Sequence, residues 1–325
     1  MRQHKARPET LVLAFLVLLA GCQWPLGATW SPPPEYGGEH TTGIDLREHL
    51  FAIANRSWPP SPAGEDQRRP LGALADGTKI LGPGEEAERW RMAYYDHRLR
   101  SSTVGIYTGR GAEPVFWRAI AAFCDDHHIS WERFDETELG TLNQRFDAVW
   151  FGGGFSSQYR IGILEHQLLR EFVEGGGSFL GICAGAYYAA NTMRWHGGMT
   201  DYPLNLFDGD AIGPLPNVSW GQSTTIALNP GHLANQRSEA ALIVYYMDGP
   251  YFAWQEHPKI ETIATYDVND KPAVISFTYG QGRVLLIGPH PEMGYDQTRR
   301  EFTTDGSHGG HWPWLRELVQ YALYQ

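Results

Sequence analysis

The sequence predicts an α/β fold: a mostly parallel β-sheet covered by helices on both faces. Three observations carry this. From Ser102 onward, short apolar runs alternate with amphipathic stretches, the pattern of strand–helix–strand units. Two of the runs, "FDAVWFGGG" and "GSFLGIC", end in glycines or a small reactive residue, where ligands of parallel sheets collect. A last amphipathic stretch, "WPWLRELVQYALY", closes the chain as a helix.

In order, "STVGIYTG" reads as a strand, 114–124 as a helix, "ISWERF" as a strand and "FDAVWFGGG" as a strand ending in glycines. Residues 163–174 read as a helix, "GSFLGIC" as a strand and 185–190 as the next helix. After Met199 the texture becomes mixed, with strands expected at "ALIVYYM", "IETIATY", "AVISFTY" and "GRVLLIG". No repeat of 20–50 residues is visible.

Three segments are expected. Arg2, Lys5 and Arg7, the apolar "LVLAFLVLLA" and then "LAGC" make residues 1–21 a secretory signal, too short in its apolar part to span a bilayer comfortably. "LAGC" is similar to the lipobox of bacterial lipoproteins, which implies acylation of Cys22 and, in a host with two membranes, anchoring at the outer one, since Gln23 follows; an ordinary signal with an incidental Cys is the alternative. Residues 22–100 hold "WSPPPEYGGEH", "SWPPSPAGEDQRRP" and "LGPGEEAE", rich in turn formers, and read as a tether with one short helix near Leu46 to Ala54. Residues 101–325 form the α/β domain.

The net charge is −11, and removing residues 1–21 takes away three basic residues and one acidic, leaving about −13. With no cluster of Lys and Arg, a nucleic-acid partner is not expected. Of the three cysteines, Cys124 lies at helical spacing with Phe116, Ile120 and Phe123 and reads as a core residue. A bridge from it to Cys183 would join a mid-helix site to a strand end, geometry that rarely suits a disulfide.

Cys183 is different because glycines flank it. Gly181-Ile182-Cys183-Ala184-Gly185 has the form of a nucleophile elbow with sulfur in place of oxygen: a cramped strand-to-helix turn in which positions two before and two after must be small. Such a turn presents the thiol at a helix start, where peptide dipoles favour the thiolate. A thiolate that attacks an amide needs a proton carrier, and His290 in "VLLIGPHPEMG" follows an expected strand. Pro291 favours extended geometry at His290, so Glu292, two residues on, projects to the same side and can orient the ring. The amides of Gly152, Gly153 and Gly154, with that of Ala184, are candidate oxyanion donors; a glycine turn of no chemical role is the other reading.

"FGGGFSSQY", "GGGSFLGICAGAYYAA", "VYYMDGPYF" and "VLLIGPHPEMG", in that order, resemble the N-terminal amidotransferase-like domain attached to eukaryotic biotin-protein ligases, a branch of the class I glutamine amidotransferase superfamily. The likeness runs from about Val104 to the C-terminus. It implies a flavodoxin-like three-layer sandwich and a Cys-His-Glu triad at Cys183, His290 and Glu292. In the amidotransferases of that superfamily the Cys takes the acyl group of glutamine and passes ammonia to a synthetase. No stretch of this chain reads as a synthetase or a ligase, so hydrolysis of a small-molecule or peptide amide through a thioester, with water as acceptor, is the expected reaction.

No cofactor is expected. "CDDHH" at 124–128 and "HGGH" at 308–311 contain metal-ligand types, but neighbouring helical residues point apart and the second lies in a polar loop, so no metal site is expected. Tyr187, Tyr188, Tyr251 and Trp254 read as core or rim packing rather than a pocket mouth. Two functions of different class fit these residues: a Cys-dependent amide hydrolase held at the envelope, and a non-catalytic binding module that keeps the same pocket.

Overall fold

The computed structural model describes residues 83–255, 259–296, 301–303 and 310–323. The signal segment, Cys22 and the short helix expected near Leu46 lie outside the described residues.

The described chain begins with α1 (Pro83–Ser101), β1 (Thr103–Tyr107), α2 (Pro114–Asp126), β2 (Ser130–Phe134) and β3 (Ala148–Phe151). Next come α3 (Ser156–Gly162), α4 (His166–Glu174), β4 (Ser178–Ile182) and the short α5 (Ala184–Ala189). The mixed region follows as β5 (Ala190–Trp195), β6 (Gly198–Asp201), β7 (Phe207–Gly213), β8 (Gln222–Leu228), β9 (Ala241–Tyr246) and β10 (Tyr251–Ala253). Then come β11 (Glu261–Tyr266), β12 (Pro272–Tyr279), β13 (Gly282–Ile287), the small pair β14 (Gly294–Asp296) and β15 (Glu301–Thr303), and α6 (Trp312–Leu323).

The central sheet has nine strands in the order β2-β1-β3-β4-β13-β12-β11-β8-β9. Its first five strands are mutually parallel, in the flavodoxin order 2-1-3-4-5 with β13 as the fifth. The other four join antiparallel, so the sheet is mixed, with its parallel half where the sequence alternates strand and helix. A second sheet, β10-β7-β5-β6, lies beside it.

Strands buried on both faces read as near-continuous apolar runs, and their alternation separates two cores. Val104, Ile106, Trp150, Leu180 and Leu285 point into one core with Phe123 of α2 and Trp314, Leu315 and Leu318 of α6. Tyr107, Val149, Phe151, Phe179 and Leu286 point into the other with Leu169 and Phe172 of α4 and Tyr188 of α5. On that second face Phe207 and Phe252 of the small sheet continue the cover, and Phe207 meets Phe277 of β12 at 5.8 Å between ring centroids. Each fully buried side chain of this kind is worth about 1.5–3 kcal/mol in area removed from water.

The segment read as tether up to residue 100 ends differently. Residues 83–101 form a helix against α6: Arg98 donates to the Leu323 carbonyl, and Asp96 accepts from Gln320 and pairs with Arg316. Tyr95 and Leu99 are its buried residues among those whose side chains are described, too few to give the sequence a clear helical stripe. Cys124 is fully buried in α2, as expected of a core residue, and burial pushes its thiol pKa far up. Cys124 and Cys183 are both free thiols. Among the described residues no helix is long and apolar enough to cross a membrane.

Candidate active site

Three neighbouring strands, β3, β4 and β13, end side by side and deliver the glycine turn, Cys183 and His290 respectively. Cys183 sits between β4 and α5 with φ 51° and ψ −102°, a left-handed conformation that costs a non-glycine residue energy and that the surroundings must enforce. They do so from both sides. A Cβ on Gly181 would lie 2.8 Å from the Gly185 carbonyl, and one on Gly185 would lie 2.1 Å from the Phe151 carbonyl. The turn is cramped against itself and against β3, which is why both positions are glycine. The Cys183 amide donates to the Ile287 carbonyl and the Gly185 amide to that of Gly152, tying the elbow to both neighbouring strand ends.

His290 follows β13 and is fully buried, as is Glu292. Its Nδ1 lies 2.7 Å from Glu292 Oε1, the pairing expected from the His-Pro-Glu spacing. The ring is held from further directions: Phe116 of α2 stacks on it at 4.3 Å and 23°, and the His290 amide donates to the Tyr245 carbonyl. Trp312 Nε1 donates to the Glu292 carbonyl, which fixes the carboxylate's backbone. Burial works to lower the His290 pKa, but the Glu292 carboxylate, by charge and by hydrogen bonding, and the nearby Cys183 outweigh it and hold the pKa raised, to about 10. The buried Nε2 of His290 makes no hydrogen bond to another described residue. The Cys183 thiol donates to the Met247 carbonyl at 3.4 Å.

The glycine turn packs against this pair. A Cβ on Gly153 would lie 2.8 Å from His290 Cε1, and one on Gly154, at φ 148°, would lie 2.1 Å from the Gly111 carbonyl. The turn is thus closely fitted. The amides of Gly153, Gly154 and Ala184 make no hydrogen bond to another described residue, whereas Gly152 serves as an acceptor, its carbonyl taking Gly185 N–H and the Tyr159 hydroxyl. α5 has six residues, too short to offer the thiol a long helix's dipole.

Other expectations find their places. Tyr187 and Tyr188 are buried, while Tyr251 and Trp254 are partly so. In "CDDHH", Asp125 accepts from Trp131 Nε1 and His127 packs between Phe123 and Trp312. His311 donates to the Ile243 carbonyl, and His308 lies outside the described residues. Among the described residues no group of three or more His, Cys, Asp or Glu is arranged to hold a metal.

The sequence reading missed Met247, Phe116 and Trp312 as parts of this site. For Met247 a signal existed: Asp-Gly-Pro after an apolar strand marks a turn. For the two aromatics none did, since a ring that stacks on an imidazole and one that fills a core leave the same letter.

The family model for the biotin-protein ligase N-terminal region matches residues 145–309, half of the chain, and spans the glycine turn, the elbow and His-Pro-Glu. The chain belongs to this family. Among curated relatives, the biotin–protein ligase of Schizosaccharomyces pombe is 28% identical over 143 residues, covering 39% of this chain and 22% of that protein. An uncharacterized protein of Chlamydia muridarum is 28% identical over 131 residues, covering 37% of this chain and 50% of that one. The chain thus spans half or less of these relatives' length. Two solved structures are more distant. A glutamine amidotransferase shares 18% identity, covering 66% of this chain and 98% of that one at a TM-score of 0.46. Another, from Thermotoga maritima, shares 16%, covering 69% and 98% at 0.47. The family match begins later than the expected Val104, leaving β1 and α2 outside it, although β1 is a central strand and α2 supplies Phe116.

Proposed function

We propose that this member of the biotin-protein ligase N-terminal family is a cysteine-dependent amide hydrolase held at the bacterial envelope through acylated Cys22. The observation that carries the chemistry is the conjunction of an elbow-mounted thiol with a buried imidazole whose other nitrogen is fixed by a carboxylate.

Cys183 Sγ, having given its proton to His290, attacks the amide carbonyl carbon and forms the C–S bond. The oxyanion that develops is met by the amides of Gly153, Gly154 and Ala184, donors of a kind worth on the order of 3 kcal/mol each in the transition state. The imidazolium passes its proton to the departing nitrogen as the C–N bond breaks, leaving a thioester. Water then gives a proton to His290 and attacks the thioester, releasing the carboxylic acid and returning the thiol. Glu292 keeps the ring's tautomer and balances its charge throughout.

The test is a panel of peptide and small-molecule amides scored for released ammonia or amine, with acyl-enzyme trapped by acid and read by intact mass. The reading expects turnover, and an added acyl mass on Cys183, abolished in Cys183→Ser. Binding of an amide without turnover or acylation in the native protein would replace it with the non-catalytic binding module. The anchor is tested separately: fatty acid fed to a bacterial host should label the chain and be lost in Cys22→Ala, and equal labelling of both would remove the lipidation claim.

A further inference from the structure

The turn after β9, Met247-Asp248-Gly249-Pro250, lies directly over the elbow, since the Met247 carbonyl accepts the Cys183 thiol. It is held with unusual redundancy. Three tyrosine hydroxyls donate to three successive carbonyls: Tyr187 to Asp248 at 2.9 Å, Tyr246 to Gly249 at 3.0 Å and Tyr266 to Pro250 at 3.1 Å. A Cβ on Gly249 would lie 1.8 Å from the Gly288 carbonyl, so the turn also packs against the backbone that leads into His290. Asp248 itself stands at φ 55°. A clamp of this kind fixes the backbone that carries the Asp248 side chain.

That side chain carries a carboxylate with no assigned task. It is half-buried and makes no hydrogen bond or ion pair with another described residue. Glu292, the other carboxylate beside the thiol, is committed to His290. The groups that face Asp248 are Tyr187 and Tyr246, whose hydroxyls are engaged with the turn's carbonyls, and His196 at the tip of the β5–β6 hairpin. The hairpin also brings Trp195, partly buried, edge-on to Tyr187 at 5.8 Å. Burial raises its pKa, and the charge of His196 works against that. A carboxylate one residue from the carbonyl that takes the Cys183 thiol, with no cationic side chain hydrogen-bonded to it among the described residues, is the element that draws an organic cation to the sulfur.

We propose that Asp248 is a substrate-binding residue, which selects amides carrying an ammonium or guanidinium group close to the scissile bond. This rests on Cys183 being the nucleophile of the site.

The test separates the two claims by using reagents that need no amide chemistry. Three methanethiosulfonates with the same reactive group are compared for the rate at which they modify Cys183 in the full chain: neutral methyl, cationic 2-aminoethyl and anionic 2-sulfonatoethyl. Asp248→Asn keeps a residue that tolerates positive φ, so the turn is retained. Asp267→Asn, at an exposed position outside the site, controls for overall charge. The cationic reagent should outpace the anionic one in the native protein, and Asp248→Asn should cut that ratio by about fivefold or more while Asp267→Asn leaves it unchanged. If the neutral reagent modifies Cys183 readily and the ratio is the same in Asp248→Asn, the cation site falls and the nucleophile stands. If the neutral reagent does not reach Cys183, both fall.

Discussion

His290 Nδ1 lies 2.7 Å from Glu292 Oε1, and neither side chain is exposed to solvent. A lone buried charge costs several kcal/mol, so burial by itself disfavours the charged ring. Against that effect, Glu292 and Cys183 raise the ring's pKa to about 10.

Stability should therefore depend on pH in a stated direction. The unfolded ring titrates near 6.5, so the raised folded value contributes stability that is fully present below about pH 6.5 and lost as pH rises through about 10. Urea unfolding of the native protein and of His290→Gln between pH 6 and 10 measures this. The gap between them should shrink as pH rises; a gap that widens would mean the ring is neutral at pH 7.

Glu292→Gln keeps the shape and removes the charge. It should cost about 3 kcal/mol at pH 6.5, as expected when one partner of a buried pair is lost, and should abolish amide turnover if His290 cycles its proton as described. Denaturant midpoints and turnover of the same preparations check both parts.

The elbow glycines make a sharper mutational contrast than most. Gly185→Ala places a methyl 2.1 Å from the Phe151 carbonyl, a backbone atom that cannot swing away, and should destabilise by more than about 2 kcal/mol. Gly140→Ala, with nothing within 4 Å, should be neutral or slightly stabilising. Equal unfolding midpoints for the two variants would contradict the account of the turn.

The tyrosine clamp predicts a loss from a single oxygen. The Tyr246 hydroxyl accepts from the Leu215 amide and donates to the Gly249 carbonyl, both buried, so Tyr246→Phe strands two groups and should cost about 2–4 kcal/mol. Hydrogen exchange of amides 247–250 should rise with it.

Much of this site was legible because its chemistry is local. The elbow, the His-Pro-Glu spacing and the glycine turn each lie within five residues of sequence, and the alternation of strand and helix brings their ends to one edge. What escaped depends on distant partners. Strands β9, β11, β12 and β13 could be read as apolar runs, but nothing local states that three of them extend the sheet antiparallel. β5 follows α5 without a break, so its residues carry no turn signal, and its partners β6 and β7 lie in the stretch the sequence leaves unreadable. Helix α1 hid because its charged run resembles a solvated tether, and its seat is α6, more than 200 residues away. Asp248 looked like a turn residue and is one; its relation to the thiol appears only once Met247 is seen above Cys183.

The most direct measurement of the central claim is the rate at which iodoacetamide modifies Cys183 at pH 6, read by peptide mass, in the native protein and in His290→Ala. The account predicts that native Cys183 reacts at least about tenfold faster than a free cysteine peptide and that His290→Ala removes the advantage. Slow modification, the same in both proteins, would contradict it.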